Sequence, residues 1–356
     1  ALPPRQPAVF DIEQGCDKNG KFSFRHVEAV LDNCAYTSCG ATTQSVMMSP
    51  ISSLYRVANV FFKATCVYTN NIYCQAMRGY GTPQATFAVE TSMDRLAEAA
   101  GIDPAEFRLM NRNRSGDLTP MKLKITTCGL EACIQSVKDK ISWDAKHGKR
   151  NGRGVGMASL IHVAGGARVY KSDGHGMRIK VDDEGPVDVI SGGTDQGQGS
   201  CTVLSQIIAE ELGFRPEDIS FTIGDTALAL WDAGTHASRH TFIAGNAAIR
   251  ACRKVRRQIL DMAAVQMPRI IQSTLKRKQR LDPDFEMPKI DFSLFSDPDN
   301  LEIRSRKVFL KADPENPHCC EDASRILRQG LHVGTGESQT IMAEVFYDPP
   351  TQMLDR

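Results

Sequence analysis

No stretch of the 356 residues approaches the roughly 18 consecutive apolar side chains that a spanning helix needs, so no such helix is expected. Charge of one sign is equally scarce in excess. The 43 basic residues against 42 acidic ones leave a formal net charge of +1, so there is no electrostatic case for nucleic acid or an anionic membrane. The opening ALPPRQPAVF lacks the basic-then-apolar order of a secretory signal. Eleven cysteines are present, but no two stand as C-x2-C, so zinc ribbons and the common iron–sulfur spacings have no support. A chain this long does not need disulfides to hold it, and reduced thiols in a cytoplasmic protein are expected. There is also no G-x-G-x-x-G, no G-K-[ST] and no internal repeat. The basic run KRKQR (276–280) reads as a solvated loop or helix end.

What is present is an ordinary globular composition, 41% hydrophobic and 24% charged, as soluble domains have. Residues 20–37 and 57–68 read as strands from alternating apolar positions and β-formers. Over 84–100 the apolar residues Phe87, Val89, Met93 and Leu96 recur at helical spacing, and Gly101 stands where a helix stops. Asp103-Pro104 restarts a short helix with aspartate as cap and proline at its first position. A third helical pattern covers 130–141, and strands return over 153–191, with a hairpin turn at 183–185. A helix to Leu212, a strand at 219–223, a long helix over 238–267 and a strand at 338–347 follow. Residues 281–321, rich in proline and aspartate, read as an excursion over the surface. Clusters of strands and helices without regular βαβ alternation predict an α+β fold. The polar stretch 143–153 suggests two domains, 1–150 and 151–356.

Three glycine-rich segments sit where a helix is about to begin. GGTDQGQG (192–199) lies between a strand and a helix, where backbone N–H groups left without partners can hold an anion such as a phosphate. Gln198 adds an amide able both to donate and to accept. RGYGTPQ (78–84) places the fork of Arg78 on a backbone that can approach a ligand closely. AGTHASRHTFIAGNA (233–247) presents Ala237 and Ser238 at the start of the long helix. A single turn of this kind is usually only a turn; three in order argue for a bound group.

These segments resemble the R-G-F-G-x-P-Q, G-G-T-E-M-G-Q-G and T-x-A-S motifs of the xanthine dehydrogenase and aldehyde oxidase family of molybdenum hydroxylases. The similarity runs in the same order from about residue 20 to the terminal strand, SQTIMAEVFYDPPTQ. The resemblance implies molybdenum-cofactor-binding domains with mixed sheets and flanking helices. It further implies a molybdenum–pyranopterin (molybdopterin, or its cytosine dinucleotide form), with iron–sulfur clusters and FAD on partner chains or further segments. In that family an oxygen from water is inserted into an aldehyde, an N-heterocycle or another electron-poor substrate, and the cofactor carries the hard step.

Carried over position by position, Arg78 and Gly79 lie at the metal's coordination sphere and Tyr80 flanks the substrate. Gly197, Gln198 and Gly199 hold the pterin and its phosphate. Thr235, Ala237, Ser238 and His240 complete the cradle, and no side chain ligates the metal directly. Arg168 and Tyr170, in the stretch 161–171, are candidate substrate contacts. Tyr80 replaces the family's phenylalanine and brings a hydroxyl that needs a partner. The arginine that contacts purines in some relatives has no counterpart near 46–48 (VMM), which argues against a purine. The G-G-G-F-G-G-K segment is not found before residue 20, and no carboxylate matches the general base of the G-V-G-E segment; Glu337 does not fit it. The expectation is therefore a fragment or split subunit completed by partners. The competing reading is a structural or assembly homologue that keeps the fold without cofactor.

Overall fold

The computed structural model describes residues 3–149, 152–166, 172–332 and 340–350, which fall into two compact units divided between Val163 and Ala164. In the first, β1 (Ala8–Cys16) runs antiparallel to β2 (Phe22–Cys34), and β2 runs parallel to β3 (Asn59–Tyr68). The β1–β2 turn is held by the Asp17 carboxylate, which accepts the N–H groups of Asn19 and Lys21 at 2.9 Å each. A parallel pair needs a crossover connection, and α1 (Gly40–Ser53) provides it. The sequence pattern marks neither β1 nor α1. The α1 sequence GATTQSVMMSPISS is mostly small and polar, with Pro50 inside, so no amphipathic stripe betrays it.

The helices α2 (Thr82–Ala99) and α1 cover the sheet, burying Val27, Leu31, Met47, Ile51, Val89 and Met93 in one cluster. α2 starts two residues before the expected Gln84, because Pro83 sits in the first turn, where its missing N–H costs nothing. In α3 (Pro104–Asn111) the Asp103 cap accepts from Ala105 N–H at 2.8 Å and Glu106 N–H at 3.2 Å, which satisfies two donors that a helix start leaves over. Two short helices complete this part, α4 (Leu130–Ile141) and α5 (Trp143–Lys146).

The sequence suggests a domain break at 150/151; the units divide later because the next residues pack backwards. Residues 153–163, expected as strand, belong to no sheet. Met157 joins the buried cluster of Ala105, Ile134 and Trp143. Ser159 N–H donates at 2.8 Å to Glu90, a buried carboxylate that also takes Tyr55 Oη at 2.7 Å and Arg108 Nε at 2.9 Å. A buried ion pair is tolerable only when its remaining valences are filled, and Ser159 fills one of them.

The second unit is built on a four-stranded sheet in the order β10 (Ile341–Tyr347), β4 (His175–Val181), β5 (Val187–Ser191), β6 (Ile219–Ile223). The β4–β5 pair is a hairpin, with Gly185 at φ +95° in its turn. β5 and β6 are parallel, joined through α6 (Ser200–Leu212). The 42-residue α7 (His240–Leu281) lies over the sheet, burying Ile243, Ala247, Ala251, Val255 and Ile259.

Two expectations change here. α7 does not end at Met267 but continues through Pro268, since Ile270, Ile271 and Leu275 still have a core to enter. That core comes from the stretch expected to be a surface excursion. It forms a three-stranded sheet, β7 (Leu301–Arg304), β8 (Lys307–Leu310) and β9 (Cys320–Asp322), followed by α8 (Ala323–Leu331). Phe295, Leu301, Ile303, Val308 and Leu310 are buried there. These apolar residues are spaced between prolines and aspartates, so composition conceals the strands.

Gly213 ends α6 at φ +75°, and a Cβ there would stand 2.1 Å from the Ile303 carbonyl oxygen. Gly101 follows α2 at φ +69° with nothing within 4 Å of a Cβ. Gly101→Ala should therefore cost only the left-handed backbone penalty, about 1 kcal/mol, whereas Gly213→Ala should cost about 3 kcal/mol or more because backbone must also move. Urea denaturation of the two variants checks this; equal losses would mean that the β7 contact is soft.

Candidate functional site

The 192–199 and 233–240 segments meet in the second unit. Thr194 N–H donates to Thr235 Oγ1 at 3.0 Å. The His240 ring closes over Gly193, where a Cβ would lie 2.0 Å from Cε1. Only glycine fits under the ring.

Beneath these loops lies a buried polar network that the sequence reading missed. His175 Nδ1 donates to Asp232 Oδ2 at 2.6 Å, and Ser191 Oγ lies 3.1 Å from His175 Nε2. Arg239 reaches Asp173 Oδ1 at 3.0 Å and Asp232 Oδ2 at 3.3 Å, and it also donates to the carbonyls of Asp173, Gly174 and Gly234. Asp173 in turn accepts Gly166 N–H at 2.8 Å, and Asp232 Oδ1 accepts Gly234 N–H at 2.6 Å. The His175 and Arg239 side chains are 0% and 1% exposed. A guanidinium held this far from water survives only because it is paired. Burial pushes the Asp232 carboxyl up, but hydrogen bonding and charge from His175, with Gly234 N–H and Arg239, outweigh it and hold it down at about 2, the effect expected of close opposite charge and donated hydrogen bonds. Burial, reinforced by His175 and Arg239, keeps the His240 imidazole below its ordinary range. The available signal is the polar residues at 173, 175, 232 and 239 beside small residues; nothing local shows that they converge.

His175, Asp232 and His240 offer ligand atoms within 4.8 Å of one another, the type of donor set that holds a divalent cation. Both nitrogens of His175 and both oxygens of Asp232 are already hydrogen-bonded, and the Arg239 guanidinium supplies the positive charge. The set is a closed network.

Two expectations about the loops need correction. The helix N-terminus at 199–200 does not present free N–H groups at Gly197 and Gly199, because Asp195 Oδ1 accepts both, at 2.8 and 3.3 Å. Gln198 braces the same loop, accepting Gln196 N–H at 2.7 Å and donating to Thr194 O at 3.2 Å and Ser200 Oγ at 2.5 Å. Nor does α7 begin at Ser238. Ala237 and Ser238 sit at φ +50° and +52°, and the helix starts at His240. Those angles lie outside the right-handed region that a helix needs.

Arg78, Gly79 and Tyr80 belong to the first unit. Gly79 and Gly81 have φ of +94° and +93°, and a Cβ on Gly81 would stand 2.5 Å from Thr43 O. Arg78 is exposed, with no carboxylate partner among the described residues. The Tyr80 hydroxyl has the partners it needs, hydrogen-bonding Thr42 Oγ1 and donating to Cys39 O at 3.3 Å. Arg168, Tyr170 and Glu337 lie outside the described residues. A cavity of about 440 Å³, lined by Lys21, Arg56, Val57, Met110, Asp117 and Leu118, contains none of the residues identified from the sequence.

Comparison with known proteins gives the same outline. Two family models, both described as a molybdopterin cofactor-binding domain, match residues 2–112 and 134–281. The xanthine dehydrogenase molybdenum-binding subunit of Escherichia coli O157:H7 is 33% identical over 74% of the chain, and the chain covers 36% of it. Aldehyde oxidoreductase from Megalodesulfovibrio gigas is 27% identical over 70% of the chain, with 28% of its own length covered. The solved Cu,Mo-CO dehydrogenase superposes over 97% of the chain and 43% of its own with a TM-score of 0.72 at 20% identity, a likeness of fold. The chain thus spans about a third of the length of its sequence relatives.

The Asp232 carboxyl is depressed in the folded state, so its contribution is present above the ordinary carboxylate range and lost as pH falls through about 2. Asp232→Asn should cost about 3 kcal/mol at neutral pH by leaving Arg239 short of a charge partner and His175 Nδ1 without its carboxylate acceptor. It should also remove about 2 kcal/mol of acid-dependent loss between roughly pH 5 and 2. Denaturant titrations of both proteins at stepped pH check this; parallel pH profiles would show that Asp232 is not the titrating group.

Proposed function

Since the chain belongs to the family of molybdopterin-binding subunits typified by xanthine dehydrogenase and aldehyde oxidoreductase, we propose that it holds a molybdenum–pyranopterin as one segment of a molybdenum hydroxylase. The observation carrying this reading is the junction of the 192–199 and 233–240 loops, joined through Thr194 and Thr235 and seated on the Arg239 network. Two of the family's motifs are thereby brought to one place on a rigid base.

The residues suit such a group. Gly197 and Gly199 have open space where a Cβ would stand, so a ligand can approach the backbone. The Gln198 amide is exposed beside them. Asp195, which holds their N–H groups, marks where an anionic oxygen would be received, and a pterin phosphate would displace it or reach the neighbouring donors. In the first unit, Arg78 offers an uncompensated guanidinium, and the Gly79 N–H has no acceptor among the described residues. When bound, the cofactor would supply the redox step, insertion of a water-derived oxygen at an electron-poor carbon with two electrons passed onward. In the second unit, the loop of Gly197, Gln198 and Gly199 would bind and orient the pterin, with His240 and Thr235 keeping the facing loop in register; in the first unit, taken by itself, Arg78 and Tyr80 are the residues proposed for the reacting end. Aldehydes and N-heterocycles are the substrate classes to screen. The iron–sulfur clusters, the flavin and the general base would come from partner chains or further segments, in the cytoplasm.

The complex containing this chain should carry molybdenum and pterin in a one-to-one ratio, read by elemental analysis and pterin fluorescence. Gln198→Ala should lower retained pterin by about tenfold or more through lost hydrogen bonds, while the exposed site keeps Tm within about 3 °C. A folded complex with neither metal nor pterin, after reconstitution is attempted, would favour the structural homologue, with Asp195 as a permanent cap on the loop.

A further inference from the structure

The RGYGTPQ turn is held by a segment far away in sequence. Arg5 donates through Nη2 to the Arg78 carbonyl at 2.7 Å and through Nη1 to Gln84 Oε1 at 3.4 Å, across separations of 73 and 79 residues. The Gln84 amide returns a hydrogen bond to the Gln6 carbonyl at 3.1 Å, and Gln6 Oε1 accepts from Thr43 Oγ1 at 3.0 Å. Residues 5 and 6 are thereby tied to both ends of the turn and to α1. Arg5 has no carboxylate partner among the described residues, so its fork is committed to neutral acceptors in this turn.

We propose that Arg5 is a positioning residue for the turn of Arg78, Gly79 and Tyr80; this rests on the reading of that turn as the reacting end of the cofactor site. The peptide bonds are trans throughout the described chain, so the Arg78 carbonyl and the Gly79 N–H point in opposite directions. Holding the carbonyl on the Arg5 side fixes the Gly79 N–H on the other, where no acceptor among the described residues takes it. The Tyr80 hydroxyl ties its side chain to Thr42 and Cys39, but among the described residues no other side chain holds the Arg78 carbonyl. Gly79, Tyr80 and Gly81 all lie at positive φ, and the internal bonds are Tyr80 N–H to Met77 O at 2.8 Å and Thr82 N–H to Gly79 O at 2.9 Å. A lysine cannot replace the fork, because one ammonium on a flexible stem does not span two acceptors in a set geometry.

The test uses Arg5→Lys and Arg5→Ala in the full complex, with three readouts: amide hydrogen exchange of peptides covering 77–84, Tm, and kcat and KM on the best donor from an aldehyde and N-heterocycle screen with a dye acceptor. The expected result is exchange in 77–84 faster by roughly tenfold in both variants, with 22–34 in the adjoining sheet unchanged and Tm moved by less than about 3 °C. Turnover should fall by about tenfold or more in kcat with a smaller change in KM, as for a misplaced site. Unchanged exchange over 77–84 in both variants overturns the proposal whatever the activity. Equal acceleration over 77–84 and 22–34 also overturns it, since Arg5 would then be holding the whole unit. If local exchange rises in a complex that contains no molybdenum and turns over no donor, the role of Arg5 stands and the hydroxylase reading fails.

Discussion

The guanidinium of Arg239 is the contact on which the second unit's loops depend. It joins two carboxylates, Asp173 and Asp232, and three carbonyls, from two separate stretches of chain, 173–174 and 232–234. Each of these groups alone would be costly to bury. A lone carboxylate out of water forfeits several kcal/mol of hydration, and Coulomb attraction at short range restores it only when the remaining lone pairs are also filled. Here Gly166, Gly234 and His175 fill them. The arrangement is therefore all or nothing, which is what a loop in an unfavourable backbone region requires. Ala237 and Ser238 sit at positive φ directly beside Arg239, a conformation that persists only when the surroundings over-determine it.

The first unit solves a similar problem twice. Inside it, Arg108 and Glu90 form a buried pair that Tyr55 and Ser159 complete. At its glycine-rich turn, Arg5 takes the carbonyl that the turn itself leaves over. In both units arginine is chosen where several acceptors in fixed directions must be met at once, a task suited to its planar fork. In both, glycine sits where a neighbour has come too close for a side chain: Gly193 under His240, Gly81 against Thr43. In each unit, rigid support from distant residues lies behind bare backbone at the glycine-rich loop.

Much is legible in the sequence because it is decided locally. The Asp103 cap, the Gly213 stop, the hairpin at Gly185 and the strand at 219–223 follow from short-range chemistry, and the structure has them all. The three glycine-rich segments are recognisable for the same reason, since unusual φ values demand glycine wherever the fold puts them. What escapes is whatever depends on distant partners. β1 and α1 carry no strong periodicity and form because the sheet and α2 offer them a surface. α7 runs through Pro268, against local propensity, because the 292–310 stretch supplies a core beyond it.

The sequence by itself determined the family, several of the glycines at which the backbone turns left-handed, and the residue types able to meet a phosphate-bearing ligand; the left-handed Tyr80, Ala237 and Ser238 it did not mark. Only the tertiary structure decided that Thr194 meets Thr235, that Asp195 occupies the helix N–H groups, and that Arg239 and Arg5 are the residues holding the loops. The physical reason is range. Capping, turn formation and amphipathic spacing act within a few residues and leave a mark in the letters. A buried ion network, or a splint between residues 73 apart in the chain, is selected by desolvation and packing, which exist only once the chain has closed on itself.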